Sequence, residues 1–256
     1  MKQKNKNLCI IQARMGSTRL PNKVFLDVDG VSLLEYEIKR AQIAKRIDKI
    51  VVATGLGKAN DKIEELCQKL GIDCFRGSED DVLDRFFQCS LNYPQYNVII
   101  RLTGDCPLID PKIIDEVIVF FEKNNFDYAS NVNPPSFPDG MDVEVFTRAA
   151  LAKSVEQAKL GSEREHITQF MFKDNKLEKG NLKASKDFSG VRLTVDYSED
   201  FEVVSFIIKN SKLSDSYLTF IALLVEHPEI MKKNSQYVRN NGLAQSLKKD
   251  KIYESK

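Results

Sequence analysis

No sign of charge dominates this chain, with 38 basic residues set against 37 acidic ones and a formal balance of +1. Such a balance gives no long-range pull toward nucleic acid or an anionic membrane, so neither is expected as a partner. No apolar run reaches the roughly 18 residues of a membrane span. Met1 to Asn7 is Lys-rich and polar where a signal peptide would be apolar. The five cysteines, at 9, 67, 74, 89 and 106, are odd in number and include no Cys-x-x-Cys pair. That argues against a disulfide frame or a zinc site and for reduced thiols in a cytoplasmic protein. Neither Gly-x-x-x-x-Gly-Lys-Ser/Thr nor Gly-x-Gly-x-x-Gly occurs, which excludes two familiar nucleotide loops.

What is present begins with an apolar run, Leu8 to Ile11, that reads as a short buried strand. A small-residue turn at Gly16-Ser17 follows, with Arg14, Arg19 and Lys23 around it, and a helix begins near Ser32. A strand, a basic glycine-containing turn and a helix form the arrangement in which α/β proteins hold polyphosphate: backbone N–H groups face the turn and cations cancel charge. In a chain of neutral balance such a loop is a local feature, and a solvated basic loop is its plain alternative.

Strand and helix patterns alternate through the first half, which predicts a mostly parallel sheet covered by helices. Ile50–Ala53 and Val98–Leu102 read as strands, Asp73–Phe75 as a weaker one. Helical spacing runs through Leu34, Ile38 and Ala41. It recurs through Ile63, Cys67 and Leu70 with Gly71 as C-cap, through Val82 to Phe87 with Ser78 as N-cap, and from Pro111 to Phe121. Residues 133–140 hold three prolines and a glycine and read as an irregular loop. A strand over 141–146, helices over 148–160 and 162–173, a strand over 191–195, and helices over 201–208 and 218–225 are expected next. The sequence predicts one domain over 1–231, with 133–190 as its substrate and dimerisation subregion, and a loose polar tail over 232–256.

Asp105 and Asp196 each follow an apolar strand pattern. Strand carboxyl ends are where open α/β sheets bind ligands. Two carboxylates there could share Mg²⁺, which takes a few hard oxygens plus phosphate and water; either could instead begin a turn or cap a helix. Asp142 and Glu144 would share one strand face, as an acceptor rim or a solvated surface. Arg76, before Gly77, and His166, in Glu163-Arg164-Glu165-His166, have equally plain structural readings.

The stretch Gln12-Ala13-Arg14-Met15-Gly16-Ser17-Thr18-Arg19-Leu20-Pro21-Asn22-Lys23 resembles the signature of the CTP-dependent cytidylyltransferases that make CMP-activated sugars, among them the CMP-Kdo and CMP-sialic acid synthetases. Its wording is that of the branch of spore coat polysaccharide biosynthesis cytidylyltransferase-like proteins. Gly104-Asp105-x-Pro107-Leu108-Ile109 and Val195-Asp196-x-x-x-Asp200-Phe201 resemble the two metal-carrying stretches of that family, and Arg164-Glu165-His166-Ile167-Thr168 a stretch of the same branch. The resemblance implies a nucleotide-diphospho-sugar transferase fold, Rossmann-like, in three layers with a mixed, mostly parallel sheet. It implies transfer of CMP from CTP to a sugar acid or sugar phosphate, with pyrophosphate released, for surface polysaccharide or glycan.

By the same resemblance Ala13, Arg14, Gly16, Ser17, Arg19, Lys23, Arg76 and Thr103 bind the nucleotide. Arg14, Lys23 and Asp105 carry catalysis, Asp105 and Asp196 hold Mg²⁺, and Asp142, Glu144, Glu165 and His166 face the acceptor. A homodimer is implied. Thr103 departs from the pattern, since better-known relatives have Gln there against the cytosine edge; Thr offers fewer groups and less reach. That departure keeps a glycosyltransferase, or a nucleotidylyltransferase for another base, as alternatives, although Asp105-Cys106-Pro107 lacks the Asp-x-Asp of the glycosyltransferases. A non-catalytic nucleotide-binding subunit is the third reading.

Overall fold

The structure, a computed structural model, describes residues 6–254. Its first half alternates strand and helix: β1 (Asn7–Gln12), the small hairpin β2 (Asp27–Val28) and β3 (Val31–Ser32), α1 (Leu33–Ala41), β4 (Lys49–Gly55), α2 (Asp61–Leu70), β5 (Asp73–Gly77), α3 (Val82–Leu91), β6 (Val98–Thr103) and α4 (Pro111–Asn124). The second half contributes β7 (Tyr128–Ser130), β8 (Glu144–Thr147), α5 (Arg148–Gln157), α6 (Gly161–Glu165), α7 (Gln169–Lys173), β9 (Lys179–Asn181), α8 (Ser198–Lys209), α9 (Tyr217–Glu226), α10 (Pro228–Met231) and α11 (Asn241–Glu254).

One seven-stranded sheet runs β5-β4-β1-β6-β8-β7-β9. β5, β4, β1 and β6 are mutually parallel, and β8 lies antiparallel to both β6 and β7. The expected mixed, mostly parallel three-layer fold is therefore the one observed. β1 is central, and its alternation places Cys9 and Ile11 in one core and Leu8 and Ile10 in the other. Helices α1, α2, α4, α8 and α9 cover the first face; α3, α5 and α7 cover the second. Burial on both faces explains why β1 reads as a continuous apolar run.

Local signals set the ends. Ser32 Oγ accepts from Glu35 N at the start of α1, and Gly71 closes α2 in the left-handed conformation at φ 66°. For α3 the N-cap is Asp81, whose carboxylate accepts from Asp84 N; Ser78 sits one turn earlier and caps Asp81 itself. The parallel strands β1, β4, β5 and β6 all end on one rim, at Gln12, Gly55, Gly77 and Thr103, where topology places ligands.

Four expectations are corrected. Residues 191–195 are extended but make only the isolated bridge of Arg192 with Asp139, because β8 already occupies the free edge of β6. The helix expected over 162–173 breaks into α6 and α7 at buried Ile167, whose φ is 25°. The strand expected from 141 begins at Glu144, so Asp142 lies on its extended approach. The tail is not loose over 241–254: α11 docks on α6, where Asp250 Oδ1 accepts from Ser162 N at 3.2 Å. β7 and β9 were not foreseen, being three residues each.

Candidate functional site

Two adjoining cavities, of about 230 and 390 Å³, open on the rim where the parallel strands end. The smaller is floored by the turn after β1. Ala13, Arg14, Gly16, Ser17, Arg19 and Lys23 all line it, as does Thr103 from β6. The turn is held by one polar contact from the segment after β4 and one of its own: Met15 N donates to Asn60 Oδ1 at 2.9 Å, and Leu20 N to Ser17 Oγ at 3.3 Å. Gly104 follows β6 so closely against β1 that its N–H donates to Gln12 O at 2.8 Å, and a Cβ there would lie 3.0 Å from both Gln12 O and Ala13 Cβ. That contact fixes where Asp105 starts.

Lys23 joins the two distant acidic stretches. Its Nζ lies 2.9 Å from Asp105 Oδ2 and 2.8 Å from Asp196 Oδ1. Arg19 Nη2 meets Asp196 Oδ1 at 2.6 Å, and Arg192 Nη2 meets Asp196 Oδ2 at 3.2 Å. The backbone secures the pairing, since Val195 N and Thr194 Oγ1 both donate to Asp105 O, at 2.8 and 2.9 Å. Gly140, at φ 101°, packs against Leu193 and Thr194 so closely that a Cβ would fall 2.7 Å from their backbone. Segment 191–195 thus acts as a clamp laid across the strand ends. Burial alone would lower the Lys23 pKa, but the two carboxylates raise it above its ordinary value. Burial likewise opposes ionisation of Asp105 and Asp196, yet Lys23, joined at Asp196 by Arg19, holds both below the usual carboxylate range.

The larger cavity lies toward β8 and is lined by Arg101, Asn133, Asp142, Glu144, His166 and Arg192, among others. Arg101 Nε donates to Gln12 Oε1 at 3.0 Å and its Nη1 pairs with Glu144, which also accepts from Tyr128 Oη at 2.7 Å. Arg239 pairs with Asp142, and burial pushes that carboxyl up to about 7 even so. Six residues line both cavities: Gln12, Thr103, Asp105, His166, Asp196 and Gly242. Glu165 borders only the smaller of the two.

Of the residues singled out by sequence, Arg76 alone stands apart. It lines neither cavity; its guanidinium binds Asp61 Oδ1 at 2.6 Å, Glu64 Oε2 at 3.0 Å and the carbonyls of Gly55, Leu56 and Gly57. Thr103 lines both cavities, with its Oγ1 3.3 Å from Cys106 Sγ. Sequence reasoning missed Arg85, Arg101, Arg192 and the start of α11. The first two are legible afterwards as charges set into apolar helix and strand patterns, and Arg85, 1% exposed, lines the smaller cavity. Arg192 hid within Val-Arg-Leu-Thr-Val, and α11 has no apolar stripe to announce it.

Among the described residues no group of three or more His, Cys, Asp or Glu side chains is arranged to hold a metal ion. Asp105 and Asp196 supply two hard, ionised carboxylates. That donor set suits an ion completing its shell with phosphate and water and does not suit zinc in a closed protein cage.

A sheet rim carrying a cationic turn, paired carboxylates and an adjoining second cavity defines a class: an α/β enzyme that handles a polyphosphate beside a second substrate. The cytidylyltransferase family model matches residues 8–250, and the chain belongs to that family. It is 35% identical over 235 residues to the spore coat polysaccharide biosynthesis protein SpsF of Bacillus subtilis, covering 88% of this chain and 96% of that one. Over 118 residues it is 34% identical to the 8-amino-3,8-dideoxy-manno-octulosonate cytidylyltransferase of Shewanella frigidimarina, 45% of this chain and 47% of that one. Among solved structures, a cytidylyltransferase from Leptospira borgpetersenii superposes with a TM-score of 0.86 at 34% identity, covering 91% of this chain and all of that one.

Proposed function

We propose that this cytidylyltransferase transfers CMP from CTP to a sugar acid and releases pyrophosphate, in the assembly of a surface polysaccharide or glycan. The observation that carries the reading is Lys23 lying between Asp105 and Asp196 at the mouth of the cationic turn. A binding loop alone would need no such pair of clamped carboxylates. Arg14, Arg19 and Lys23 with the backbone of Gly16 and Ser17 receive the triphosphate: Arg as planar forks, Lys as a point charge. Asp105 and Asp196 would hold Mg²⁺, which would supply positive charge to phosphate oxygens on which negative charge builds.

Catalysis here is positioning plus charge stabilisation, since the protein has little covalent work to do. Arg101, Asp142 and Glu144 line the acceptor side, offering a guanidinium to a carboxylate and carboxylates to hydroxyls. The acceptor of the Shewanella relative, a manno-octulosonate, has both kinds of group, and SpsF's place in polysaccharide assembly supports the pathway. Arg76 is assigned no part in nucleotide binding. A homodimer and a cytoplasmic location complete the reading; light scattering and cell fractionation test them. The decisive assay follows pyrophosphate from each nucleoside triphosphate with Mg²⁺ and a panel of sugar acids and sugar phosphates. CTP with a sugar acid is expected to react. Release from no CTP-containing mixture, or equal release from UTP, overturns the reading.

A further inference from the structure

We infer that His166 takes the proton from the acceptor hydroxyl, and that Ser246, on the C-terminal helix α11, fixes the imidazole tautomer that lets it do so. The inference rests on the proposed reaction, in which an acceptor oxygen meets the α-phosphorus where the two cavities join. The residues lining both cavities are Gln12, Thr103, Asp105, His166, Asp196 and Gly242. An amide, an alcohol and a glycine cannot take up a proton at neutral pH. Asp105 and Asp196 are held by Lys23, Arg19 and Arg192. His166 is left. Asp142 and Glu144 border only the acceptor side and are paired with Arg239 and Arg101.

The tautomer follows from counting protons. Ser246 Oγ lies 2.7 Å from Glu165 Oε2, 3.2 Å from Gly242 O and 3.2 Å from His166 Nε2. Carboxylate and carbonyl oxygens only accept, and a hydroxyl has one proton to give. If Ser246 gave it to the imidazole, Ser246 Oγ and Glu165 Oε2 would face each other at 2.7 Å with no hydrogen between them. The proton therefore goes to Glu165, Nε2 donates to Ser246, and Nδ1 is bare, with no hydrogen-bond partner among the described residues.

The charged groups around the ring come from four elements: Glu165 on α6, Asp250 on α11, Arg101 on β6 and Glu144 on β8. Burial, helped by Arg101, holds the imidazole below its usual pKa against the pull of the three carboxylates, so it is neutral at pH 7. In the step, Nδ1 accepts the hydroxyl proton and the freed oxygen pair forms the bond to the α-phosphorus. The bond from that phosphorus to the bridging oxygen breaks, and its electron pair leaves with pyrophosphate. The imidazolium, steadied through Ser246 and Glu165, then returns its proton to water.

The chain has two histidines, His166 and His227, so long-range ¹H–¹⁵N spectra of the full-length protein at pH 7 are readable once His227→Gln assigns the second. We expect a neutral ring protonated at Nε2, and a mixture of tautomers in Ser246→Ala. A ring protonated at Nδ1, or a spectrum that Ser246→Ala leaves unchanged, overturns the role of Ser246. With CTP, Mg²⁺ and 8-amino-3,8-dideoxy-manno-octulosonate, His166→Asn should lose about 10²–10⁴-fold in kcat with KM for CTP within about threefold, and added imidazole should restore part of the loss in His166→Gly. Ser246→Ala should lose about tenfold in kcat with its acid limb displaced, and Ser246→Thr should recover it. A wild type active on this acceptor, with His166→Asn equally active, overturns the base alone. A wild type that releases no pyrophosphate from CTP with any acceptor overturns the proposed reaction and the base together.

Discussion

Replacing Lys23 with Met keeps the length and apolar stem of the side chain and removes its charge. Its Nζ lies 2.9 Å from Asp105 Oδ2 and 2.8 Å from Asp196 Oδ1. At an effective dielectric of about 20, each contact is an attraction of roughly 6 kcal/mol before solvation is counted. The two oxygens lie no more than about 6 Å apart, where like charges repel by roughly 3 kcal/mol at the same dielectric. Burial of the ammonium offsets much of the gain, so the net effect is governed by the charge left behind. Asp196 would keep Arg19 and Arg192, while Asp105 would keep no cation among the described residues. With the Asp105 side chain 28% exposed, water absorbs part of the penalty. We expect the variant to lose about 2–3 kcal/mol, short of the roughly 3–5 kcal/mol of a dry broken pair. Urea unfolding measures it. Millimolar Mg²⁺ should then raise the variant's midpoint more than the wild type's, because the ion meets carboxylates that no longer hold an ammonium. Turnover should fall by about 10²–10³. Wild-type stability together with a wild-type response to Mg²⁺ would refute the bridging role of Lys23.

Three further outcomes follow from the same geometry. Gly104→Ala should cost about 1–3 kcal/mol, the usual scale of overpacking, and lower turnover, because its Cβ would press on Gln12 O and Ala13 Cβ at 3.0 Å and displace Asp105; thermal melts and pyrophosphate release report both. Arg76→Gln should leave KM for CTP unchanged while lowering the melting temperature, since its partners are Asp61, Glu64 and backbone carbonyls. Glu37 is fully buried, and burial, with Asp105 adding to it, raises its pKa well above the usual value against the pull of the Cys106 backbone and Lys23. A carboxyl raised on folding adds stability that is complete below its unfolded pKa of about 4.3 and is lost as pH climbs toward the folded value. Unfolding free energies of Glu37→Gln measured as pH rises above about 4.3 should therefore lack a downward slope that the wild type shows.

How much of this was legible depended on which force built each part. Helices such as α1 and α2 announce themselves because an apolar stripe at 3.6-residue spacing is the same fact as their packing. The cationic turn and Asp105 were visible because local sequence, a strand end and a small-residue turn, places them. Neither rule reaches features made by distant polar contacts. β9 has the sequence Lys-Gly-Asn and exists by pairing with β7. α11 is tied to α6 by Asp250 and Ser246 and not by a stripe. Segment 191–195 alternates like a strand, yet its alternation serves the clamp: Val191, Leu193 and Val195 enter the core while Arg192 binds Asp139, Asp196 and Asp200.

That division runs through the site itself. The half proposed for the nucleotide rests on backbone turns and neighbouring residues, so its parts sit close together in the chain and a short motif records them. The half proposed for the acceptor is assembled from β6, β8, the 191–196 clamp and α11, each carrying one or two polar groups whose partners lie 40 to 100 residues away. Groups held in such pairs change together, since removing one partner leaves the other's charge buried and unpaired, while the sheet and the turn after β1 stay fixed. A family built on this plan could keep its donor chemistry and change its acceptor, and Arg101 and Arg239, neither of them within the motif of residues 12–23, are the positions where that change would register.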